Sequence, residues 1–298
     1  MPVLRALTRL LNVPALVSFL RSHRADASVW DPAQDLELQL YGRIFGNNFL
    51  HYGYFDPIPA DPETISHAAM KKAMDDYATL LVSRVQAGEK VLDVGCGMGG
   101  LLARLDRVGA VPTGLTPNRA HAEHIRNNWP HIPILQTTLE GLDPAKAAGM
   151  DAVINAESFQ YADLHTGLAR IAALLGKTGR WITIDYFRLD ASAKNKSGHL
   201  LAEFEGALAN HGLRIEEKVD VTENMLPTLA YARLLVEGIG LPMLRFTADK
   251  FFLTRPLAAY LFQDQVDAKL SSVSLATLDA DVFRREKRYI LYTIRPVA

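Results

Sequence analysis

The segment KVLDVGCGMGG, residues 90–100, decides the fold of this chain. Its apolar first half has the composition of a buried strand, and the segment that follows, LLARLDRVG, has that of a helix. Because glycine lacks a Cβ atom, Gly95, Gly97 and Gly99 allow a tight turn and let a ligand approach the backbone closely. The start of the following helix presents unpaired N–H groups and a partial positive charge. We therefore predict a strand, a ligand-binding turn and a helix, in this order.

Strand-like and helix-like segments alternate over most of the chain. The helical patterns run for about a dozen residues each, which is typical of a parallel sheet covered on both faces. The sequence thus predicts an α/β fold with a mostly parallel seven-stranded sheet. Besides residues 90–95, strands are predicted at 110–116, 132–138, 151–158, 179–187, 213–221 and 288–295.

Local signals indicate where three helices begin or end. The segment DPE, residues 61–63, supplies the chemistry of a helix start. Pro117 suits the first turn of the helix after the second strand. Gly176 is expected to close the helix that begins near residue 163.

The composition excludes several classes of protein. The 298 residues include 32 Lys and Arg against 33 Asp and Glu, so no basic excess suggests a nucleic-acid partner. Cys96 is the only cysteine, which rules out an internal disulfide and a cysteine-based zinc site and fits the reducing cytoplasm. The histidines show no H-E-x-x-H spacing, so we predict no metal. No apolar run in the sequence is long enough to span a bilayer.

Two kinds of ligand are candidates for the glycine turn: a dinucleotide and S-adenosylmethionine. Gly95, Gly97 and Gly100 match the G-x-G-x-x-G pattern of dinucleotide sites, but this match alone is weak evidence. Asp93 adds negative charge where a pyrophosphate gains nothing from it, whereas the same charge suits the ammonium group of S-adenosylmethionine. The dinucleotide fingerprint also needs an acid at the end of the second strand, where this chain has Thr116, and no second mononucleotide-binding half follows. We therefore predict S-adenosylmethionine as the cofactor.

Residues 226–286 break the alternation of strands and helices. They look helical and are rich in leucine, alanine and aromatic residues. We expect a cap over the site, in which most apolar side chains form the cap's own core and the others shape an apolar pocket.

Several segments together resemble the class I S-adenosylmethionine-dependent methyltransferases, and within them the branch of cyclopropane fatty acid synthases and tocopherol and sterol C-methyltransferases. The segments are YGRIFGNNFLHYGYFD (41–56), VLDVGCGMGG (91–100), GLTPNRAHAEHI (114–125) and the stretch at 156–187. The resemblance spans residues 41–225. It implies a Rossmann-like fold and an upstream element that closes over the cofactor. The expected parts are an N-terminal helical segment and lid (1–60), a core (61–225 with 287–298) and a helical cap inserted before the last strand (226–286).

The resemblance also assigns cofactor contacts by position. The three glycines should surround the methionine moiety. Thr116 takes the place of an acid beside the ribose, and Thr138 takes that of an acid near the adenine, so that backbone contacts matter more there. Cys96 is interpreted as a small turn residue. The expected cofactor-binding residues are Tyr41, Tyr54, Asp93, Gly95, Cys96, Gly97, Gly99, Thr116, His121, Thr138, Leu139, Asn155 and Ala156.

Two residues are candidates for catalysis. Glu157 follows the fourth strand, and ligands of open α/β sheets bind beyond the carboxyl ends of the strands. His51 belongs to the upstream element and has a side chain that titrates near neutral pH. The alternatives are that Glu157 is a solvated or helix-capping carboxylate and that His51 is structural.

Together these features predict methyl transfer by in-line displacement to a small, lipophilic acceptor, such as a lipid, a terpenoid or a polyketide-like molecule. Cyclopropane formation is a rival reaction. Those enzymes hold a bicarbonate base with the Glu of a Phe-Glu-His segment, whereas this chain has Phe159, Gln160 and Tyr161. The other rivals are a cofactor-binding protein that no longer transfers methyl, such as a pericyclase-like scaffold, and a nicotinamide-dependent reductase.

Residues 1–24 mix leucine, valine and phenylalanine with arginines. No small-residue cleavage site follows the apolar stretch, so we do not predict a signal peptide. We favour a helix packed on the core or on a second subunit of a homo-oligomer, because Pro14 interrupts any long helix. The alternative is a basic amphipathic segment that contacts a membrane surface or guards a hydrophobic entrance.

Overall fold

The structure is a computed structural model in which residues 13–15, 17–18, 42–191 and 196–297 are described. The strands are β1 Lys90–Val94, β2 Val111–Leu115, β3 Ile134–Leu135, β4 Met150–Ala156, β5 Leu175–Arg188, β6 Leu213–Asp220 and β7 Lys287–Pro296. They form one sheet in the order β3-β2-β1-β4-β5-β7-β6. Strands β1 to β5 pair in parallel, and β7 runs antiparallel to β5 and β6. The prediction of an α/β fold with a mostly parallel seven-stranded sheet is confirmed.

Helices cover both faces of this sheet. Successive residues of a strand point to opposite faces, so Val91 packs in one core and Leu92 in the other. The helices are α1 His67–Val82, α2 Gly100–Arg107, α3 Arg119–Asn128, α4 Leu164–Leu174, α5 Leu201–Leu208, α6 Thr222–Leu235, α7 Leu241–Leu253, α8 Pro256–Ser271 and α9 Ala280–Glu286. The core that contains Val91 includes residues of α1, α2 and α6, and the core that contains Leu92 includes residues of α4 and α5.

Two helices begin later than the sequence signals indicated. Pro62–Thr64 form a separate 3-10 turn, and α1 begins after Ser66, whose Oγ accepts a backbone N–H three residues further on at 3.1 Å. Helix α3 begins after Asn118, whose Oδ1 accepts a backbone N–H of the first turn at 2.8 Å. Pro117 therefore precedes the helix rather than lying in its first turn. A capping side chain, and not the proline, sets the start in both cases.

Gly176 does not close α4, as had been expected. The residue after the helix, Leu175, already pairs with Met150 of β4, so strand pairing ends the helix and Gly176 lies within β5. The third strand is shorter than the predicted range 132–138, since the paired residues are Ile134–Leu135.

The segment between β6 and β7 is helical, as predicted, but its outer helices are not buried. Helix α6 places Met225 and Leu229 in the core beneath the sheet and continues through a π-helical turn, Val236–Gly240, into α7. In α7 the buried residue is Phe252, and α8 buries none. The expectation that most apolar side chains here form the cap's own core is wrong for these two helices, because most of their apolar side chains are exposed. Helix α8 packs mainly on α7. The division into domains stays a prediction, and its boundary at residue 226 falls inside α6.

The N-terminal predictions fall largely outside the described residues. Tyr41 is outside them, and of residues 1–24 only 13–15 and 17–18 are described, as helical. Within the described ranges, no helix combines the length and the apolar character that crossing a membrane requires.

Candidate functional site

A cavity of about 570 Å³ lies beyond the carboxyl ends of β1, β2 and β4. This is the position at which open α/β sheets bind ligands. Both catalytic candidates therefore share one cavity with most of the predicted cofactor-binding residues. The roles of all these residues stay predictions. Those in the cavity wall are His51, Asp93, Gly95, Cys96, Gly97, Thr116, His121, Thr138, Leu139, Ala156 and Glu157.

The glycine turn is shaped by its protein neighbours. Gly95, Gly97 and Gly99 have φ values of +76°, +50° and +85°, which residues with a side chain rarely adopt. A Cβ atom on Gly97 would lie 2.9 Å from Leu50 Cδ1, and one on Gly99 would lie 2.8 Å from Ile125 Cγ1. Gly99 thus serves the packing of the turn on α3 and does not line the cavity.

Ser158 connects the glycine turn to the end of β4 through hydrogen bonds. This residue was not predicted from the sequence. Its Oγ donates to the carbonyl oxygen of Val94 at 2.5 Å and accepts from Asn155 Nδ2 at 2.9 Å. Asn155 Oδ1 in turn accepts from Trp181 Nε1 at 2.9 Å. The side chain of Asn155 therefore faces the core and supports the turn, and Asn155 does not line the cavity. Nothing in the sequence separates such a serine from an ordinary loop residue.

Asp93 is the most distinctive charged group of the site. It is 1% exposed, and its Oδ2 has no hydrogen-bond partner among the described residues. Burial raises the pKa of this carboxyl to about 7. Because an unpaired buried carboxylate is costly, a cation that reaches it is held strongly. This orphaned oxygen fits the ammonium group of S-adenosylmethionine and would repel a pyrophosphate.

The wall near the end of β2 carries hydroxyl groups. Thr116 is buried, and its Oγ1 accepts the N–H of Asn118 at 3.2 Å. Thr138 lines the same wall beside Glu140, which the sequence analysis did not single out. Thr138 occupies the position at which the related enzymes have an acid, and Glu140, two residues later, brings an acid to the same wall. Contacts of this wall with a ribose or an adenine stay predictions.

Two further predictions concern Cys96 and Tyr54. Burial raises the pKa of the Cys96 thiol well above its ordinary value, so the thiol stays protonated, in agreement with its interpretation as a turn residue. Tyr54 lies outside the cavity wall. Its backbone N–H donates to the carbonyl of Ala73 at 2.8 Å, and its side chain packs against the core beside α1. A contact of Tyr54 with the cofactor stays a prediction.

Glu157 leaves β4 in a left-handed conformation with φ of +55°. Such a conformation is strained for a residue with a side chain and recurs at functional sites. Its Oε1 accepts the backbone N–H of Tyr52 at 2.7 Å. Burial raises the pKa of the carboxyl to about 8, although the hydrogen bond from the Tyr52 N–H and the nearby Tyr289 hydroxyl oppose this rise. Glu157 is thus held beside the cavity as a carboxyl that is largely protonated at pH 7 when no cation is near.

His51 presents one ring nitrogen without a partner. Nδ1 lies 2.7 Å from the carbonyl oxygen of Tyr52, so Nδ1 carries the proton, and Nε2 is buried without a hydrogen-bond partner among the described residues. The ring stacks on Tyr77, with 3.9 Å between centroids and 15° between planes. Burial lowers the pKa of His51 to about 4, which keeps the ring neutral at pH 7. Nε2 is therefore a fixed hydrogen-bond acceptor.

Residues behind this wall form a polar layer that was not foreseen. The side chain of Tyr289 interacts with Glu157 and with Tyr77. Asp185 accepts the backbone N–H of Gln160 at 3.0 Å, and burial raises its pKa to about 7. Buried tyrosines on a strand and a helix have the same sequence pattern as ordinary core residues, so only the fold shows this layer.

Gln160 bears on the rival cyclopropane-forming reaction. Its side-chain Nε2 donates to the carbonyl oxygen of Glu157 at 3.2 Å, and it is not among the residues that line the cavity. Gln160 thus holds the loop after β4, while its neighbour Tyr161 faces the cavity.

The chain is similar to a methyltransferase domain family and to proteins that use S-adenosylmethionine. Residues 91–179, from β1 to the first part of β5, match the family described as a methyltransferase domain. A ubiquinone biosynthesis O-methyltransferase of Nitrosococcus oceani is 31% identical over 97 residues, which are 31% of this chain and 41% of that protein. An S-adenosyl-L-methionine-dependent Diels-Alderase of Talaromyces variabilis is 23% identical over 258 residues, which are 76% of this chain and 86% of that protein.

Solved structures with the same fold include one with a terpenoid ligand. The geranyl diphosphate C-methyltransferase of Streptomyces coelicolor A3(2), in complex with Mg²⁺, geranyl diphosphate and S-adenosyl-L-homocysteine, superposes with a TM-score of 0.61 and 20% identity. The match covers 91% of this chain and 100% of that one. This similarity shows the fold.

Proposed function

We propose that this chain, which matches a methyltransferase domain over residues 91–179 and uses S-adenosylmethionine as its cofactor, transfers the methyl group to a small, lipophilic acceptor by in-line displacement. The observation that carries this proposal is the cavity in which the unpartnered carboxylate oxygen of Asp93 faces the glycine turn, with Glu157 and His51 in the same wall.

The residues present fit the cofactor. Asp93 would hold its ammonium group, and the turn of Gly95 and Gly97 would leave room for the methionine moiety. Thr116 and Glu140, which line the same cavity, would face the nucleoside part. When bound, S-adenosylmethionine supplies an activated methyl group on a positively charged sulfur. The protein's own contribution is to align the acceptor with that group, and such alignment lowers barriers by roughly 7–11 kcal/mol in well-oriented reactions.

The two catalytic candidates take different roles in this proposal. Glu157 receives a proton when the acceptor is a hydroxyl or an amine, because a base works best when its pKa lies near the working pH. A cation bound nearby favours the ionised carboxylate and lowers the pKa of Glu157 from its value of about 8. His51 remains neutral and orients the acceptor by accepting a hydrogen bond at Nε2. Tyr52 connects the two, since its N–H binds Glu157 and its carbonyl binds His51.

The apolar part of the wall supports a lipophilic acceptor. Phe49, Leu50 and Met98 line the cavity on the side of the upstream element, and Tyr161 lies after β4. The similarity to a geranyl diphosphate methyltransferase and to a ubiquinone biosynthesis enzyme agrees with an acceptor that carries a hydrocarbon portion. The proposed classes are therefore lipids, terpenoids and polyketide-like molecules.

This proposal can be tested with methyl-labelled S-adenosylmethionine and a panel of prenyl, polyketide and fatty-acyl acceptors. We expect label in an acceptor that bears a hydrocarbon chain, together with release of S-adenosylhomocysteine. A melting temperature that rises with NADPH and not with S-adenosylhomocysteine would instead support the reductase alternative.

A second candidate function is favoured by one observation. A relative that matches 76% of this chain is described as a Diels-Alderase that depends on S-adenosylmethionine. In that candidate the protein holds the cofactor as part of the pocket, and the substrate cyclises without receiving a methyl group. The two candidates differ in one measurable product, because only methyl transfer releases S-adenosylhomocysteine in proportion to the product.

A further inference from the structure

Helices α7 and α8 form a hairpin whose tip is apolar and exposed. The tip, FFLTRPLAAYLF, covers residues 251–262 and contains Arg255 as its single charged residue and no acid. Leu253 and Tyr260 are 86% and 88% exposed, and Leu257 is 70% exposed. Isolated apolar residues on a surface are ordinary, but a contiguous exposed group of this kind marks an interaction surface.

The position of the tip explains why its side chains stay exposed. Helix α8 packs mainly on α7, and α7 continues from α6, which belongs to the main core. The second half of α8 is polar, with Asp264, Asp267 and Lys269. The exposed apolar residues of α8 thus lie in its first half, next to the tip, whereas those of α7 continue from the tip to Phe246, Leu244 and Met243.

Two basic side chains lie beside aromatic rings at or near the tip, and two acids, Asp249 and Asp264, lie just outside it in the sequence. The guanidinium of Arg255 lies 4.5 Å from the ring centroid of Phe251, and Lys250 Nζ lies 5.9 Å from that of Phe246. Side chains of this kind can bury their apolar stems while their charged ends stay in water or among phosphates. Leucine and phenylalanine beside arginine and lysine, with a tyrosine at the edge, are typical of helices that lie in a lipid interface.

We propose that the tip, residues 251–262, docks this protein on an anionic phospholipid surface. The exposed leucines and the exposed aromatic side chains enter the boundary between head groups and acyl chains, and Arg255 and Lys250 contact lipid phosphates. A second copy of the chain is a poorer occupant, because a two-fold contact through this tip would bring the two Arg255 side chains together without an acid in the tip to pair with them. The inference does not depend on the identity of the acceptor.

The test is flotation of the full chain with vesicles. We expect binding to vesicles of phosphatidylcholine with about a quarter phosphatidylglycerol, weaker binding to phosphatidylcholine alone, and a loss of binding as salt increases. The double variant Leu253→Ser and Leu257→Ser should lower the partition coefficient at least about tenfold. Arg255→Gln should lower it about fivefold on anionic vesicles and leave it unchanged on neutral ones.

A matched control is available elsewhere on the surface. Val108 and Val111 are also exposed, at the opposite ends of their elements from the cavity, and Val108→Ser with Val111→Ser should leave vesicle binding unchanged. Circular dichroism and the affinity for S-adenosylhomocysteine show that each variant is folded. Equal flotation of the wild type and the variant with serine at 253 and 257, or absence of flotation, would overturn the proposal. So would a dimer in sedimentation equilibrium that this variant converts to a monomer.

Discussion

The carboxylate of Glu157 accepts a hydrogen bond from the backbone N–H of Tyr52 at 2.7 Å, although the two residues are 105 positions apart in the sequence. This bond joins the end of β4 to the upstream element that resembles a lid. His51 is adjacent to Tyr52, and its Nδ1 lies 2.7 Å from the carbonyl oxygen of that residue. A single residue of the upstream element thus fixes the positions of both catalytic candidates relative to the cavity.

Glu157→Gln keeps the size and the hydrogen-bonding capacity of the side chain but removes its ability to accept a proton. With a hydroxyl or amine acceptor, we expect kcat to fall by about 10²- to 10⁴-fold, while the affinity for S-adenosylhomocysteine changes little. Steady-state kinetics and calorimetry measure the two quantities separately. The control is Glu203→Gln, the same chemical change on the exposed side of α5. Equal kcat values for wild type and Glu157→Gln would dismiss the proposed role.

His51→Phe preserves an aromatic ring against Tyr77 and removes Nε2. If this nitrogen orients the acceptor, kcat/KM for the acceptor should fall about tenfold, which corresponds to the loss of one ordinary hydrogen bond. We expect the change mainly in KM. An unchanged KM with an intact fold would assign His51 a purely structural role, which is the alternative that the sequence left open.

The buried carboxyls predict how stability depends on pH when no cofactor is bound. Burial raises the pKa of Asp93 and Asp185 to about 7 and that of Glu157 to about 8, whereas these groups titrate near 4 in an unfolded chain. Between those values the folded state holds more protons than the unfolded state. The free energy of unfolding should therefore decrease as pH rises, by up to about 1.4 kcal/mol per pH unit for each carboxyl that stays protonated.

Urea unfolding between about pH 7 and 8 measures this dependence, because in this window His51 is neutral in the folded protein and largely neutral in the unfolded chain. Of the three carboxyls, only that of Asp185 lies outside the cavity wall. Asp185→Asn should therefore reduce the slope of the unfolding free energy against pH. A free energy of unfolding that is constant or increases over this window would contradict the assignment of these raised pKa values.

The glycine turn offers a comparison of two alanine substitutions. Gly97→Ala places a Cβ atom 2.9 Å from Leu50 Cδ1 in a left-handed conformation and should destabilise the protein by about 1–3 kcal/mol. Gly206→Ala adds a methyl group in open space within α5 and should stabilise it by about 0.5–1 kcal/mol. Chemical denaturation compares both with the wild type. Effects of the same sign would show that the turn is not constrained in this way.

Much of the fold followed from the sequence because the strands have strong local signals. The run before Gly95 and the later apolar runs are each bounded by turn residues, and the sheet is built from them. The helix starts were misplaced where a capping side chain, such as Asn118, competed with a nearby proline. Gly176 was misassigned because pairing between distant strands, which no local signal reveals, ended the helix.

The position of the site was predictable from the sequence, but the orientation of its individual side chains was less so. The carboxyl ends of the strands follow from topology, and Asp93 and Glu157 do reach one cavity. Whether a side chain turns into that cavity depends on its packing partners. Asn155 turns away because Trp181 binds it, and Ser158 takes part in the turn only through the fold. The exposure of α7 and α8 was also not foreseen, since apolar composition does not distinguish a buried helix from one that awaits a partner.

The central claim is that the turn after β1 holds S-adenosylmethionine through Asp93. Calorimetry at pH 7 with S-adenosylmethionine and with S-adenosylhomocysteine tests it most directly. The account predicts binding of both, proton release on binding because the ammonium group favours ionised Asp93, and an affinity about 10- to 100-fold lower for Asp93→Asn, a variant that should remain folded. No measurable heat with either compound on folded protein, or equal affinities for wild type and Asp93→Asn, would contradict it.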